Sequence, residues 1–295
     1  MEAIQTFINH LKFEKRYSKH SLVAYQTDLA QFAAYLKDQY SATELREIQA
    51  TFIRSWLVKL MENGLDPRSI NRKISTLKSF YKFALKSGWV DVSPMGKISS
   101  PKVPKRLPVY VEAEKLDNLL DNEEFKFPDD FNGMRDHLII ELFYGTGMRL
   151  SELIGLDIGD VDLRQRQLKV TGKRNKQRII PLFPALAEQI SKYLEQRNAV
   201  SSAVDSLLIL ENGKTLYPGF VYRLVKEKLS LISTQEKRSP HVLRHSFATE
   251  MLNKGAELNA IKEILGHANL SATQVYTHNT IEKLKETYKK AHPRA

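Results

Sequence analysis

Apolar residues recur at helical spacing through the first ninety positions. In "SKHSLVAYQTDLAQFAAYL" the period is 3.6 residues, and Ser18 stands where a cap satisfies the first turn. "SATE", Ser41 to Glu44, has the capping-box pattern of a helix start. "IQATFIRSWLVKLMENG" puts Phe52, Trp56 and Leu60 on one face and stops at Gly64. "DPRSINRKISTLKSFYKFALKSG" has Asp66 as cap, Pro67 in the first turn and an apolar stripe of Ile70, Ile74, Leu77 and Tyr81. This region therefore predicts four helices.

The pattern then breaks. "DVSPMGKISSPKVPKRLPVY", 91–110, holds four prolines, which block helix continuation, and predicts a linker. Beyond it the periods are mixed. "DFNGMRDHLIIELFYGTG" predicts a helix ending at glycines, and "MRLSELIGL" a short second one. "QLKVTG" and "QRIIPL" predict two strands around the polar turn "KRNK". Helices follow at 184–197, 218–231, 240–254, 257–265 and 280–291. So few strands exclude a doubly wound sheet. The expected fold is mainly α: a helical domain over 1–90, a basic Pro-rich linker over 91–110, and a mostly helical domain with a small antiparallel sheet over 111–295.

Charge changes this picture. The net charge is +11, and residues 1–110 hold 18 Lys and Arg against 9 Asp and Glu. That concentration suits a polyanion. On the last N-terminal helix Lys78, Lys82 and Lys86 recur every four residues, preceded by Arg68 and Arg72. Like charges so spaced weaken a helix, a penalty that phosphates would reverse. Lys97, Lys102, Lys105 and Arg106 in the linker would suit a strap along nucleic acid. There are no cysteines, hence no disulfide, thiolate metal site or thiol nucleophile. With no signal-peptide pattern and no long apolar run, a cytoplasmic location is expected.

The candidate chemistry is scattered. Arg149 follows a glycine-rich break in "TGMRLSEL", where an ion pair with Glu152 is the plainer alternative. Lys173 lies in the turn of "TGKRNKQRIIPL". His241 and Arg244 share a helical face at a helix start where Ser239 stands as cap and Pro240 in the first turn, in "HVLRHSFAT". His267 and Tyr276 lie in "LGHANLSATQVYTH". A zinc site at His241 and His245 has the right spacing, but the Glu of His-Glu-x-x-His is absent and Arg244 would repel a dication.

The order Arg, Lys, His-x-x-Arg, His, Tyr, in these contexts, resembles the tyrosine site-specific recombinases, or phage integrases, most closely the compact Xer type that resolves bacterial chromosome dimers. The resemblance covers nearly the whole chain. One departure is Arg174, where the family's hairpin usually has glycine; Lys173, directly after Gly172, is favoured over Lys176. The resemblance implies an N-terminal SAM-like core-binding domain and a catalytic domain. It implies cleavage and rejoining of double-stranded DNA through a 3′-phosphotyrosine at Tyr276 and a Holliday junction, without metal, ATP or other cofactor. Arg149, Lys173, His241, Arg244 and His267 would serve the reacting phosphate. A tetramer on DNA, a related recombinase subunit, a DNA motor and a C-terminal helix docked on a neighbouring subunit are further implications. A mobile-element integrase, a topoisomerase-like enzyme and a non-cutting DNA-binding protein are the alternatives.

Overall fold

The computed structural model describes residues 2–42, 44–104, 109–125, 127–172, 175–266, 286–292 and 294. The chain divides into two compact units, Met1–Arg106 and Leu107–Ala295.

The first unit is helical: α1 (Glu2–Asn9), continued by a π-turn, α2 (Lys19–Tyr40), α3 (Ala50–Glu62) and α4 (Pro67–Lys86). The capping signals act at two starts. Ser18 accepts from the Ser21 amide at 3.3 Å, and Asp66 from the Arg68 amide at 2.8 Å. The four stripe residues of α4 are all buried, packed with Phe7, Leu29, Phe32, Ile53 and Trp56. On α3 the buried face is Ile53, Trp56 and Leu57, so Phe52 and Leu60 lie at its margin.

"SATE" starts no α-helix. Ser41 ends α2 in a left-handed conformation, φ 51°, its amide bonded back to the carbonyls of Leu36 and Lys37. Only a 3-10 turn, Leu45–Glu47, follows. The serine's backbone is consumed by the preceding helix, and it cannot also begin the next. Part of the Pro-rich segment is equally committed: Met95 and Ile98 are buried in the N-terminal core, and Asn71 donates to the Pro101 carbonyl at 3.0 Å.

The second unit is built on α6 (Phe131–Thr146), preceded by α5 (Ala113–Asp121). Leu138, Ile139, Ile140, Leu142, Phe143 and Tyr144 are fully buried, as in a helix enclosed on all sides. Next come α7 (Leu150–Ile154), β1 (Val161–Asp162), β2 (Gln167–Thr171) and β3 (Gln177–Pro181). These form an antiparallel sheet ordered β1-β2-β3, with Lys169 opposite Ile179 and Thr171 opposite Gln177. The two-residue edge strand β1 is too short for a hydrophobic period to signal, whereas α5, absent from the expected helices, carries a helical period in Leu116, Leu119 and Leu120. Four helices follow, α8 (Pro184–Ala199), α9 (Pro218–Ile232), α10 (Pro240–Asn253) and α11 (Leu258–Leu265). Residues 286–291 are helical and return to this same unit, where Tyr288, Ala291 and His292 are buried. The protein is thus mainly α with one small antiparallel sheet. Among the described residues no helix is long and apolar enough to cross a membrane.

Candidate active site

The site forms where the ends of α6 and α11 meet the starts of α7 and α10. Gly147 ends α6 at φ 59°. A Cβ there would lie 2.5 Å from the Phe247 ring and 2.7 Å from Leu265. Glycine alone allows α10 and α11 to close on this turn. The buried Gly147 carbonyl accepts from Arg244 Nη1 at 2.6 Å, which ties α10 to α6.

The C-terminus of α11 does the rest. Its final carbonyls lack intrahelical donors and carry the negative end of the helix dipole. Three arginines occupy three successive carbonyls. Arg178 Nε donates to Ile264 at 2.6 Å, Arg244 Nη2 to Leu265 at 2.7 Å, and Arg149 Nη2 to Gly266 at 3.3 Å. Residues from α7, β3 and α10 are thereby gathered at one helix end.

Glu152 is the only carboxylate in direct contact with this cluster among the described residues. It takes Arg149 Nη1 at 2.7 Å, the Arg149 amide at 2.8 Å, and both Nη atoms of Arg178 at 3.0 and 2.8 Å. Burial works against its charge, but the bonds from Arg178 and then Arg149 outweigh burial and hold its carboxyl down to about 2. The two roles expected of Arg149 are therefore compatible: it pairs with Glu152 and still faces the cluster.

Three guanidiniums against one carboxylate leave an excess of positive charge. Burial, followed by repulsion from Arg149, lowers Arg244 to about 10, so it stays charged at neutral pH. His241, at the start of α10, is lowered by burial and then by Arg244, His245 and Arg149. A dianionic or monoanionic oxygen cluster entering here would relieve both repulsions. No group of three or more potential metal-ligating side chains occurs among the described residues.

Arg149, His241 and Arg244 thus come together from distant parts of the sequence. Lys173, His267 and Tyr276 lie outside the described residues, as do Lys105 and Arg106 of the linker. The hairpin that carries Lys173 is defined up to its turn: the Gly172 amide donates to the Lys176 carbonyl at 2.8 Å. Lys176 is exposed. Ser239 precedes α10 but its side chain makes no capping bond.

Arg178 is the site residue absent from the candidate set, although it stands in the same hairpin motif as Lys173. Its signal is nonetheless present: along β3 the buried face alternates through Arg178 and Ile180, and an arginine at an inward strand position needs a buried acceptor.

In the N-terminal unit Arg68, Arg72, Lys78, Lys82, Lys86 and Lys102 are all open to solvent, Arg72 in part. The five on α4 fall within about a third of the helix circumference. Arg72 is also bonded to buried Asp28, which takes Lys73 Nζ at 2.8 Å and the Thr76 hydroxyl at 3.0 Å.

Residues 110–283 match the model of the phage integrase family, and residues 4–88 match the phage integrase N-terminal SAM-like domain. A tyrosine recombinase XerC of Chlorobaculum parvum is 38% identical over 322 residues, covering 99% of this chain and 94% of the relative. A XerC of Pelobacter propionicus is 38% identical over 296 residues, covering 100% and 96%. The crystal structure of XerH site-specific recombinase in a post-cleavage complex with a palindromic difH substrate aligns with TM-score 0.73 at 23% identity, covering 96% of this chain and 83% of that one. At that identity the likeness speaks for the fold. With family models spanning both units and full-length relatives above a third identity, the chain belongs to the phage integrase family, as an Xer-type tyrosine recombinase that breaks and rejoins DNA strands.

Proposed function

We propose that Arg149 and Arg244 clamp the non-bridging oxygens of one DNA phosphate while Tyr276 attacks its phosphorus. The phenolic oxygen forms a bond to phosphorus, the bond to the 5′-oxygen breaks, and a 3′-phosphotyrosine remains. Two planar, permanently charged forks suit the charge that builds on the pentavalent phosphorus. His241 assists removal of the tyrosyl proton, His267 donates to a non-bridging oxygen, and Lys173 protonates the departing 5′-oxygen. The new linkage retains the energy of the broken one, so the 5′-hydroxyl of another strand reverses the step without ATP. The observation that carries this reading is the meeting of Arg149 and Arg244 at the ends of α6 and α11 with too little negative charge to match them.

The exposed cations of α4, with Lys102, Lys105 and Arg106, hold the duplex through its backbone, which positions without reading sequence. Residues 1–90 serve as the core-binding domain, 91–110 as the linker and 111–295 as the catalytic domain. The resemblance to XerC relatives supports a tetramer on paired sites, exchange through a Holliday junction, and resolution of chromosome dimers at division, with a related subunit and a DNA motor as partners.

The test is to trap covalent protein–DNA adducts in cells, sequence the attached DNA and map the linkage on the protein. Attachment at Tyr276 to a single chromosomal site is expected. Tyr276→Phe should abolish the adduct while leaving DNA affinity within about twofold, since one hydroxyl is lost and the phosphate contacts remain. Adducts at the ends of a mobile element would assign an integrase, and adduct-free binding would assign a non-cutting protein.

A further inference from the structure

Arg178 has no part in the reaction scheme, yet it is the most fully bonded of the three clustered arginines. Its Nε donates to the Ile264 carbonyl at 2.6 Å, and its two Nη atoms fork onto Glu152 at 3.0 and 2.8 Å. Backbone without side chains closes over this pair on two sides. A Cβ on Gly266 would lie 3.1 Å from Arg178 Nη1, and one on Gly172 3.2 Å from the Glu152 carboxylate. With its side chain 5% exposed, the guanidinium is spent inside the protein.

Arg149 is bonded differently. Its Nη1 takes one oxygen of Glu152 at 2.7 Å, and its Nη2 makes a long bond of 3.3 Å to the Gly266 carbonyl. Most of its N–H donors have no acceptor among the described residues, and its side chain is 28% exposed. A carboxylate that faces one arginine alone takes it as a fork, in two parallel bonds, and cancels its charge. Glu152 has no room to do so. Oε1 already accepts from Arg149 Nη1 and Arg178 Nη1, and Oε2 from the Arg149 amide and Arg178 Nη2, so the lone pairs of both oxygens are filled.

We propose that Arg178 is a positioning residue for strand cleavage: by saturating Glu152 it stops the carboxylate from closing on Arg149, whose remaining donors and charge stay directed at the DNA phosphate. This rests on the phosphate-clamping role proposed for Arg149. The charge balance agrees. Arg149 and Arg244 against Glu152 would leave the site a single positive charge, and Arg178 restores the second. That excess suits a phosphate whose oxygens gain charge as the phosphorus becomes pentavalent. Arg178 does this from behind Glu152, without touching DNA.

The test is a double-mutant cycle on the full chain, Arg178→Met, Glu152→Gln and the two combined, with melting curves showing that each is folded at the assay temperature. Adduct formation is timed on a saturating nicked duplex carrying the sequence recovered with wild-type adducts. Labelling of Arg149 by phenylglyoxal, an arginine reagent that carboxylate pairing blocks, is followed by mass spectrometry without DNA. Arg178→Met should slow adduct formation about tenfold, the scale of one charge lost near the phosphate, and slow Arg149 labelling as well. In the Glu152→Gln background no carboxylate remains to divert Arg149, so adding Arg178→Met should change either rate by less than about threefold. An Arg178 that merely props the end of α11 through Ile264 would cost the same in both backgrounds. That outcome, or a wild-type adduct rate in Arg178→Met, would overturn the proposal. If Arg178→Met is unfolded, Arg178→Lys takes its place in the cycle: one ammonium leaves part of Glu152 unfilled and should cost about threefold, again only when Glu152 is present. Should the wild type form no adduct on any DNA, the clamp reading fails, while Arg149 labelling across the cycle still decides whether Arg178 holds Glu152 away.

Discussion

Single atoms decide much of this site. Gly147 combines a left-handed backbone with a space too small for a methyl group. Gly147→Ala should cost about 2–4 kcal/mol, strain and overpacking together, measurable as a lower urea midpoint with unchanged slope. Glu152 is the counter-charge for Arg178, which is 5% exposed. Glu152→Ala leaves that guanidinium buried with only the Ile264 carbonyl and should destabilise by about 3–5 kcal/mol. The carboxyl's lowered pKa gives the same link a pH signature. It contributes stability above about pH 4.5 that is lost as pH falls toward 2, and the variant should lack that acid limb in calorimetry.

At the scale of elements, the C-terminus of α11 organises the centre because its orphan carbonyls attract cations from three other elements. The closing segment on α6 adds a second titration. His292 is neutral in the fold down to about pH 3, whereas the unfolded imidazole protonates near 6.5. The unfolded state binds more protons between those values. Stability should therefore fall as pH drops below about 6.5, by up to about 1.4 kcal/mol per pH unit. Glu141, pushed up to about 7 chiefly by burial, acts in the opposite sense. Its contribution is present below about 4.5 and lost as pH rises toward 7. The two separate by mutation: His292→Gln should flatten only the histidine limb in melting curves taken from pH 4 to 8.

For the whole molecule, DNA affinity is set largely by cations far in sequence from the chemistry. Replacing Lys78 and Lys82 together by alanine should reduce the slope of log affinity against log salt by about one per lost phosphate contact. The adduct rate at saturating DNA should be unchanged. Arg72→Ala differs, because Arg72 is tied to Asp28 inside the unit: it should lower thermal stability as well as affinity, which a melting curve run beside the binding titration would separate.

Some of this was fixed by residue order alone. Periodicity and capping chemistry determine α2, α3, α4 and the hairpin, because these depend on neighbours a few positions apart. The motifs around Arg149, His241 and Arg244 likewise stand in the chain as local contexts, and they carry the family resemblance. Tertiary structure decided the remainder. Ser41 ends one helix instead of starting another because its amide was already claimed by α2. Arg178 belongs to the centre because β3 turns it inward onto Glu152 and the end of α11: strand alternation marks it as inward, but its partners are set by a long-range meeting. The segment 286–292 returns to its own α6 by burying Tyr288 and Ala291 in the core and by donating to the Gly145 carbonyl, which is left without a helical donor where the helix ends.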